Sequence, residues 1–133
     1  MTSAETLNYA KRYLQKAEEY LASAEDNLDR ERATPGAGDA IHAGISAKDA
    51  IVTILTGATS KAKDHAKSAG ELRAALGTRP EAASADKSLR ELITVKADVE
   101  YGTTLITLVK AEPLVRRART LVDLAKQVVI PGH

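Results

Sequence analysis

Apolar side chains recur at helical spacing from the start of the chain. In the first segment leucine stands at every seventh position, with an alanine between successive leucines. These positions are Leu7, Ala10, Leu14, Ala17, Leu21, Ala24 and Leu28. Such a seam is typical of a helix that packs in a bundle, because alanine lets a neighbouring helix approach closely. Thr2 followed by Glu5 is a capping-box pair, so the pattern predicts a helix that starts after Thr2 and ends near Arg32.

The second segment, AIHAGISAKDAIVTIL, is apolar around most of its circumference. The preceding ATPGAGD is predicted to be a loop from its proline and glycines. We therefore expect Asp39 to cap the second helix and Gly57 to end it. A helix with so little polar surface is predicted to be central in the fold. One polar line runs along it at helical spacing: His42, Ser46, Asp49 and Thr53.

Three further helices are predicted, and glycines at 77 and 102 end the first two of them. Their approximate ranges are 61–76, 85–101 and 107–129. The β-branched stretch TTLITLV is predicted to be a corner, because a single strand would have nothing to pair with. Five helices with short connections predict an all-α fold, an up-and-down bundle of four to five helices. We expect one domain over residues 1–133, with its core at about 4–129.

Composition narrows the function classes. The chain has 133 residues and a formal net charge of +1, with 19 basic and 18 acidic side chains. This balance favours neither broad nucleic-acid binding nor membrane binding, although a local basic patch stays open. The absence of cysteine excludes disulfides and thiolate chemistry. No apolar run has the length of a membrane span or signal peptide, so a cytoplasmic protein with no membrane partner is expected.

The sequence offers little for metal or nucleophilic chemistry. Its three histidines, at 42, 65 and 133, do not pair at the i, i+3 or i+4 spacing that a zinc or di-iron site would use. No serine stands in a nucleophile elbow. We therefore expect no metal and no cofactor.

Two polar features remain open. The line from His42 to Thr53 is either a solvated stripe satisfied by neighbouring groups or a groove at a ligand or between protomers. On the last helix, Arg116, Arg117 and Arg119 form either a solvated face or a grip for phosphate.

The order of the segments resembles that of the HEPN domain (higher eukaryotes and prokaryotes nucleotide-binding). The similarity covers about residues 7–129, in the segments KAEEYLASAEDNL, AIHAGISAKDAIVTILTG, KDHAKSAGELRAAL, LRELITVKADVEYG and the closing helix with RAR and LVDLAKQVV. The residues that carry it best are Ala47, Asp49, Val52, His65, Glu100 and Tyr101. The resemblance implies a compact helical bundle that usually dimerises.

Many HEPN proteins are metal-independent ribonucleases that act as toxins. Their signature is Arg, four to six residues, then His, at the end of the fourth helix near the dimer interface. Arginine there stabilises phosphate charge and histidine transfers a proton. In this sequence Lys96 and Tyr101 stand at those positions. Lysine lacks the bidentate fork, and tyrosine, with an ordinary pKa near ~10, is a poor base at neutral pH.

Other HEPN-like proteins lack that pair and act as partners of a nucleotidyltransferase in toxin–antitoxin-type modules, or bind nucleotides or other proteins. We therefore expect a non-catalytic module, a homodimer whose interface or groove includes the second and fourth helices. Its binding residues would be His42, Asp49, Lys96, Glu100 and Tyr101. One alternative is a divergent metal-independent ribonuclease that uses Lys96 and Tyr101, with Asp49 or His42. Another is a structural helical module with no ligand.

Overall fold

The computed structural model describes residues 2–60 and 65–132, and these residues form helices and no strand. The helices are α1 (Ser3–Asp29), α2 (Ala33–Thr56), α3 (His65–Leu76), α4 (Ala82–Thr94), α5 (Lys96–Tyr101) and α6 (Leu108–Val129). The predicted all-α bundle is confirmed. The first turn predicted for the third helix, residues 61–64, and the side chain of His65 lie outside the described part of the chain.

Helix α1 follows its sequence pattern closely. The Thr2 hydroxyl accepts a hydrogen bond from the backbone N–H of Glu5 at 3.2 Å, which caps the first turn. The buried positions repeat the leucine–alanine seam: Ala10, Leu14, Ala17, Leu21 and Ala24. The helix ends at Asp29, and Glu31 takes a left-handed φ of 58° in the tight turn that follows.

Helix α2 starts seven residues earlier than the sequence predicts. The stretch ATPGAGD is not a loop but the first part of the helix, with Ala33, Gly36 and Ala37 buried. Pro35 is tolerated there because the first N–H groups of a helix have no intrahelical partner. Gly36 packs directly on α1, since a Cβ at this position would lie in van der Waals contact with Leu28, at 3.4 Å. Packing against α1 therefore overrides the local preference of proline and glycine.

Asp39 consequently does not cap the helix. It lies inside α2 and accepts hydrogen bonds from Ser23 Oγ at 2.6 Å and Asn27 Nδ2 at 3.0 Å. Its carboxylate thus joins α2 to α1. Gly57 does end the helix as predicted, in the left-handed conformation with φ 95°.

Helix α2 is the centre of the fold, as its apolar circumference predicts. It contacts α1 and α6, and also α3, α4 and α5. The N-terminal ends of α2 and α6 meet where the backbone N–H of Ile106 donates to Thr34 Oγ1 at 3.1 Å. Helix α4 comes so close to α2 that a Cβ on Gly44 would lie 2.4 Å from Leu92 Cδ1. Small residues thus give this core its density.

The fourth predicted helix is two helices. It begins at Ala82 and is interrupted at Val95, where α4 gives way to the six-residue α5. The Thr94 hydroxyl donates to the backbone carbonyl of Arg90 at 2.7 Å. Such a back-bond tends to bend a helix, and the β-branched run Ile93–Val95 also has low helix propensity. Helix α5 then contacts α2.

The corner after α5 is irregular, as predicted. Gly102 is extended, with φ −79°. Glycine is needed here because a Cβ would lie 2.6 Å from the carbonyl oxygen of Asp98. Thr107 then caps α6 by accepting a hydrogen bond from the backbone N–H of Lys110 at 3.3 Å. Within the described ranges no helix has the length and apolar character that crossing a bilayer requires.

Candidate functional site

A small polar cluster lies between α5 and α2. Val99 packs beside Gly38, where a Cβ would lie 3.5 Å from Val99 Cγ1. One residue further, Glu100 reaches the side of α2 that carries His42. Helix α5 therefore brings Glu100 to the His42 end of α2.

Glu100 holds this cluster together. Its Oε2 accepts a hydrogen bond from Lys96 Nζ at 2.5 Å, one helical turn earlier. Its Oε1 lies 3.4 Å from His42 Nε2, at ion-pair distance. One carboxylate thus joins two groups that come from different helices. We name His42, Lys96, Glu100 and Tyr101 the α5 cluster.

Two tyrosines flank the α5 cluster. The Tyr20 ring of α1 stacks on His42, with ring centroids 5.1 Å apart and an interplanar angle of 29°. On the other side, Lys96 Nζ lies 5.8 Å from the centroid of the Tyr101 ring, a cation–π distance. The Tyr101 side chain itself is 80% exposed. The cluster therefore ends in an aromatic ring that projects into solvent.

The charges of the α5 cluster stabilise an ionised Glu100. The hydrogen bond from Lys96 holds the pKa of Glu100 below its ordinary value, against the opposing effect of partial burial. The charge of Lys96, with smaller contributions from His42 and Tyr101, acts in the same direction. The carboxylate is thus an acceptor at neutral pH, and Lys96 is already paired with it.

A groove of about 390 Å³ runs beside the α5 cluster between α1 and α2. Its lining residues are Lys16, Glu19, Tyr20, Ser23 and Asp39. Tyr20 belongs to both features, because its ring stacks on His42. The groove carries two carboxylates and one ammonium group, so its charge disfavours an anionic ligand such as a phosphate.

Asp49 shares a helix face with His42 but does not belong to the same cluster. It lies seven residues further along α2, about 10 Å along the helix axis. Its Oδ1 lies 2.7 Å from Lys48 Nζ and accepts a hydrogen bond from the Thr59 hydroxyl at 2.8 Å. The structure therefore separates Asp49 from the other four predicted binding residues.

Lys48 is a functional-looking residue that the sequence pattern does not single out. Its side chain is only 1% exposed, and its Nζ donates to Thr59 Oγ1 at 3.0 Å and to Glu71 Oε1 at 3.1 Å. With Asp49 it forms a buried network that joins α2, the following segment and α3. We name Lys48, Asp49, Thr59 and Glu71 the Lys48 network. The lysine between Ala47 and Asp49 in an apolar helix is the only sequence signal for it.

The rest of the polar line is buried without forming a groove. Ser46 and Thr53 are 6% and 2% exposed. Among the described residues, Thr53 Oγ1 is the buried side-chain oxygen that has no hydrogen-bond partner. The line thus consists of a half-exposed His42, two buried hydroxyl side chains at Ser46 and Thr53, and Asp49, which belongs to the Lys48 network.

The three arginines of α6 are not brought together on one face. Arg117 Nε donates to Glu91 of α4 at 2.5 Å. Arg119 pairs instead with Glu25 of α1. Arg116 and Arg119 line the same shallow groove, which also contains acidic side chains from both helices: Glu25, Asp29 and Glu112. A phosphate grip at these arginines stays a prediction.

The chemistry of the α5 cluster is that of a polar binding surface with one proton-transfer group. The imidazole of His42, the group in the cluster that can transfer a proton, is half exposed. Within the part of the chain that the structure describes, no group of three or more His, Cys, Asp or Glu side chains is arranged to hold a metal ion.

A scan of family models finds no match to this chain, and comparisons with curated proteins and with solved structures find none either. The resemblance to HEPN proteins stays a prediction that rests on the residues quoted above. Assigning a role to the α5 cluster consequently depends on its own geometry and charge.

Proposed function

We propose that this chain is a non-catalytic HEPN-like helical module that binds a partner protein through the α5 cluster. The proposal rests on the surroundings of Lys96 and Tyr101, which stand where a HEPN ribonuclease has its arginine and histidine. Lys96 is bonded to Glu100 at 2.5 Å, and Tyr101 is an 80% exposed aromatic ring. A lysine already neutralised by a carboxylate is poorly placed to stabilise phosphate charge, whereas an exposed tyrosine beside an ion pair suits a protein interface.

The charge of the neighbouring groove supports a protein rather than a nucleotide as the ligand. Asp39 and Glu19 line it, and Glu100 lies beyond Tyr20. Nucleotide phosphates would meet these carboxylates at short range and would be repelled. A partner protein with basic side chains would instead find acceptors there. A nucleotidyltransferase from a toxin–antitoxin-type pair is the partner class that the HEPN resemblance favours.

The first experiment is native mass spectrometry of the tagged protein, purified gently from its native host. Beside the wild type we would purify Tyr101→Ala and, as a matched control, Tyr9→Ala. Tyr9 is 46% exposed and lies eleven residues, roughly 16 Å, from Tyr20 along α1. Wild type and Tyr9→Ala should carry the same additional protein, and Tyr101→Ala should lose at least tenfold in affinity for it, as expected for a hot-spot tyrosine.

Two results would contradict the proposal. One is a wild-type protein that carries no other polypeptide. The other is a co-purifying protein that Tyr101→Ala retains as well as Tyr9→Ala does.

A divergent metal-independent ribonuclease is a second candidate, favoured by the position of His42. Its Nε2 lies 3.4 Å from Glu100, which also binds Lys96. A histidine oriented by a carboxylate, beside a lysine, is a plausible acid–base pair for phosphodiester cleavage. This function requires RNA cleavage in EDTA that is lost in both His42→Gln and Lys96→Ala. Cleavage that persists in either variant would exclude it.

A further inference from the structure

Exposed apolar side chains are concentrated on one short stretch between α5 and α6. Among the described residues, the large hydrophobic side chains that are exposed are Tyr9 (46%), Tyr101 (80%), Leu105 (80%) and Val109 (81%). Three of the four lie within nine residues. We name residues 102–109 the corner strip; Tyr101 adjoins it. Clustered apolar exposure of this kind marks an interaction surface.

Part of the corner strip has backbone N–H groups without a partner. The N–H of Ile106 donates to Thr34, but within the described part of the chain no partner is found for the N–H groups of Thr103, Thr104 and Leu105. None of the eight residues of the strip, GTTLITLV, has a charged side chain. Two copies of it can meet without like-charge repulsion.

The charges that flank the corner strip are of opposite sign. Asp98 is exposed on the α5 side and Lys110 is exposed on the α6 side. Neither makes an ion pair within the described residues. In a two-fold symmetric interface, a residue at one end of the patch meets the residue at the other end of the second copy. An antiparallel arrangement of two strips therefore places Asp98 of each copy near Lys110 of the other.

From this arrangement we propose that the corner strip binds a second copy of the same chain, with Leu105 and Val109 at the centre and two Asp98–Lys110 pairs at the ends. This face differs from the second and fourth helices that the family resemblance implies. It goes beyond the proposed partner site, because its central residues are not part of the α5 cluster. Since Tyr101 adjoins the strip, the dimer carries one α5 cluster on either side of its two-fold axis.

The size of the strip sets the expected strength of the dimer. A standard stable interface uses about 20–30 residues on each side, and the strip with its flanking turns supplies fewer. We therefore expect a reversible dimer with a dissociation constant of about 1–100 µM. Its population should rise with protein concentration.

Sedimentation equilibrium over about 1 µM to 1 mM tests this directly. The wild type should shift from 14.1 kDa towards twice that mass. Leu105→Asp should weaken the dimer at least tenfold, while Tyr9→Asp, the matched exposed site on α1, should leave it unchanged. Circular dichroism should show the same helix content in all three proteins, because both positions are exposed.

A charge exchange tests the antiparallel geometry. K110E alone and D98K alone should each weaken the dimer several-fold, because each places like charges at both ends of the interface. The double variant D98K/K110E should recover dimerisation to near the wild-type level. Three results would overturn the proposal: a monomer at every concentration, a dimer that Leu105→Asp does not weaken, or a double variant that dimerises no more tightly than the single variants.

Discussion

Two lysine–carboxylate networks on the two halves of α2 differ in almost every physical respect. Lys48 is 1% exposed and is bonded to carboxylates on two helices and to a hydroxyl. Lys96 is paired with Glu100 of its own short helix, one turn away. The first network joins α2 to α3, so it is formed only when the fold is complete. The second is local to α5, with His42 as its contact to the rest of the protein.

The difference separates a stabilising role from a binding role. A buried ammonium group needs all of its partners, because desolvation is costly when a charge is left unpaired. A partly exposed i, i+4 pair contributes little to folding and is free to exchange partners. Two pairs with the same chemistry should therefore respond differently to substitution: the pair with the fully buried Lys48 in stability, and the local α5 pair in binding.

The largest expected effect is that of Lys48→Met. Methionine fills a similar volume but leaves Asp49 and Glu71 without their shared cation, so we expect a loss of about 3 kcal/mol in the free energy of unfolding. Urea denaturation measures it. A loss no greater than that of Lys96→Met would show that the two networks contribute equally to stability, and the distinction between them would not hold.

Thr53→Val tests whether a buried polar group of α2 contributes to stability when it has no hydrogen-bond partner. The Thr53 hydroxyl is buried without a partner, unlike the ammonium group of Lys48. Removing an unpaired polar group in favour of a methyl of the same shape should leave stability unchanged or raise it by up to about 1 kcal/mol. Thermal unfolding beside Thr59→Val, which removes a bonded hydroxyl and should be destabilising, provides the control. Equal losses in both variants would mean that Thr53 has a partner in solution.

Lys96→Met should destabilise the fold much less than Lys48→Met does. We expect a loss of about 0.5 kcal/mol or less, typical of a local i, i+4 pair. The same variant should weaken binding of the partner protein, because it removes the cation beside Tyr101. A loss of stability comparable to that of Lys48→Met would assign Lys96 a structural role instead.

The smallest expected effect is the pH dependence of stability that Glu100 contributes. The pKa of Glu100 is lowered mainly by the Lys96 hydrogen bond, so the pair stabilises the fold above the ordinary glutamate pKa of about 4.3. This contribution is lost as the pH falls through the lower, folded-state pKa. NMR titration of the Glu100 carboxyl should show its pKa rising in Lys96→Met. An unchanged pKa would mean that Lys96 is not its partner in solution.

Most of the fold follows from local pattern, and the exceptions have tertiary causes. The seam of α1, the central position of α2 and the cap at Thr107 are all predictable from spacing and residue type. The start of α2 is not, because Gly36 and Pro35 favour a loop until α1 packs against them. The break at Val95 depends on a hydroxyl back-bond in a β-branched run, which has no clear sequence signature.

The candidate site is predictable as a set of residues but not as a geometry. Helical spacing places His42 and Asp49 on one face of α2, yet it carries no information on which neighbouring element each one meets. Helix α5 brings Glu100 to His42, while Lys48 holds Asp49. The sequence pattern does not reveal that Lys48 is buried, because a lysine in an apolar helix is ordinarily expected on the exposed edge of that helix.

The contact between Gly44 and Leu92 has a consequence for how relatives of this protein can be recognised. A Cβ at position 44 would lie 2.4 Å from the Leu92 side chain. Leu92 is fully buried, so its methyl can move only by displacing other core side chains. Alanine at position 44 is therefore compatible with this packing only where a smaller residue replaces Leu92. Joint variation of these two positions is a criterion for finding homologues that share the bundle after overall sequence similarity has been lost.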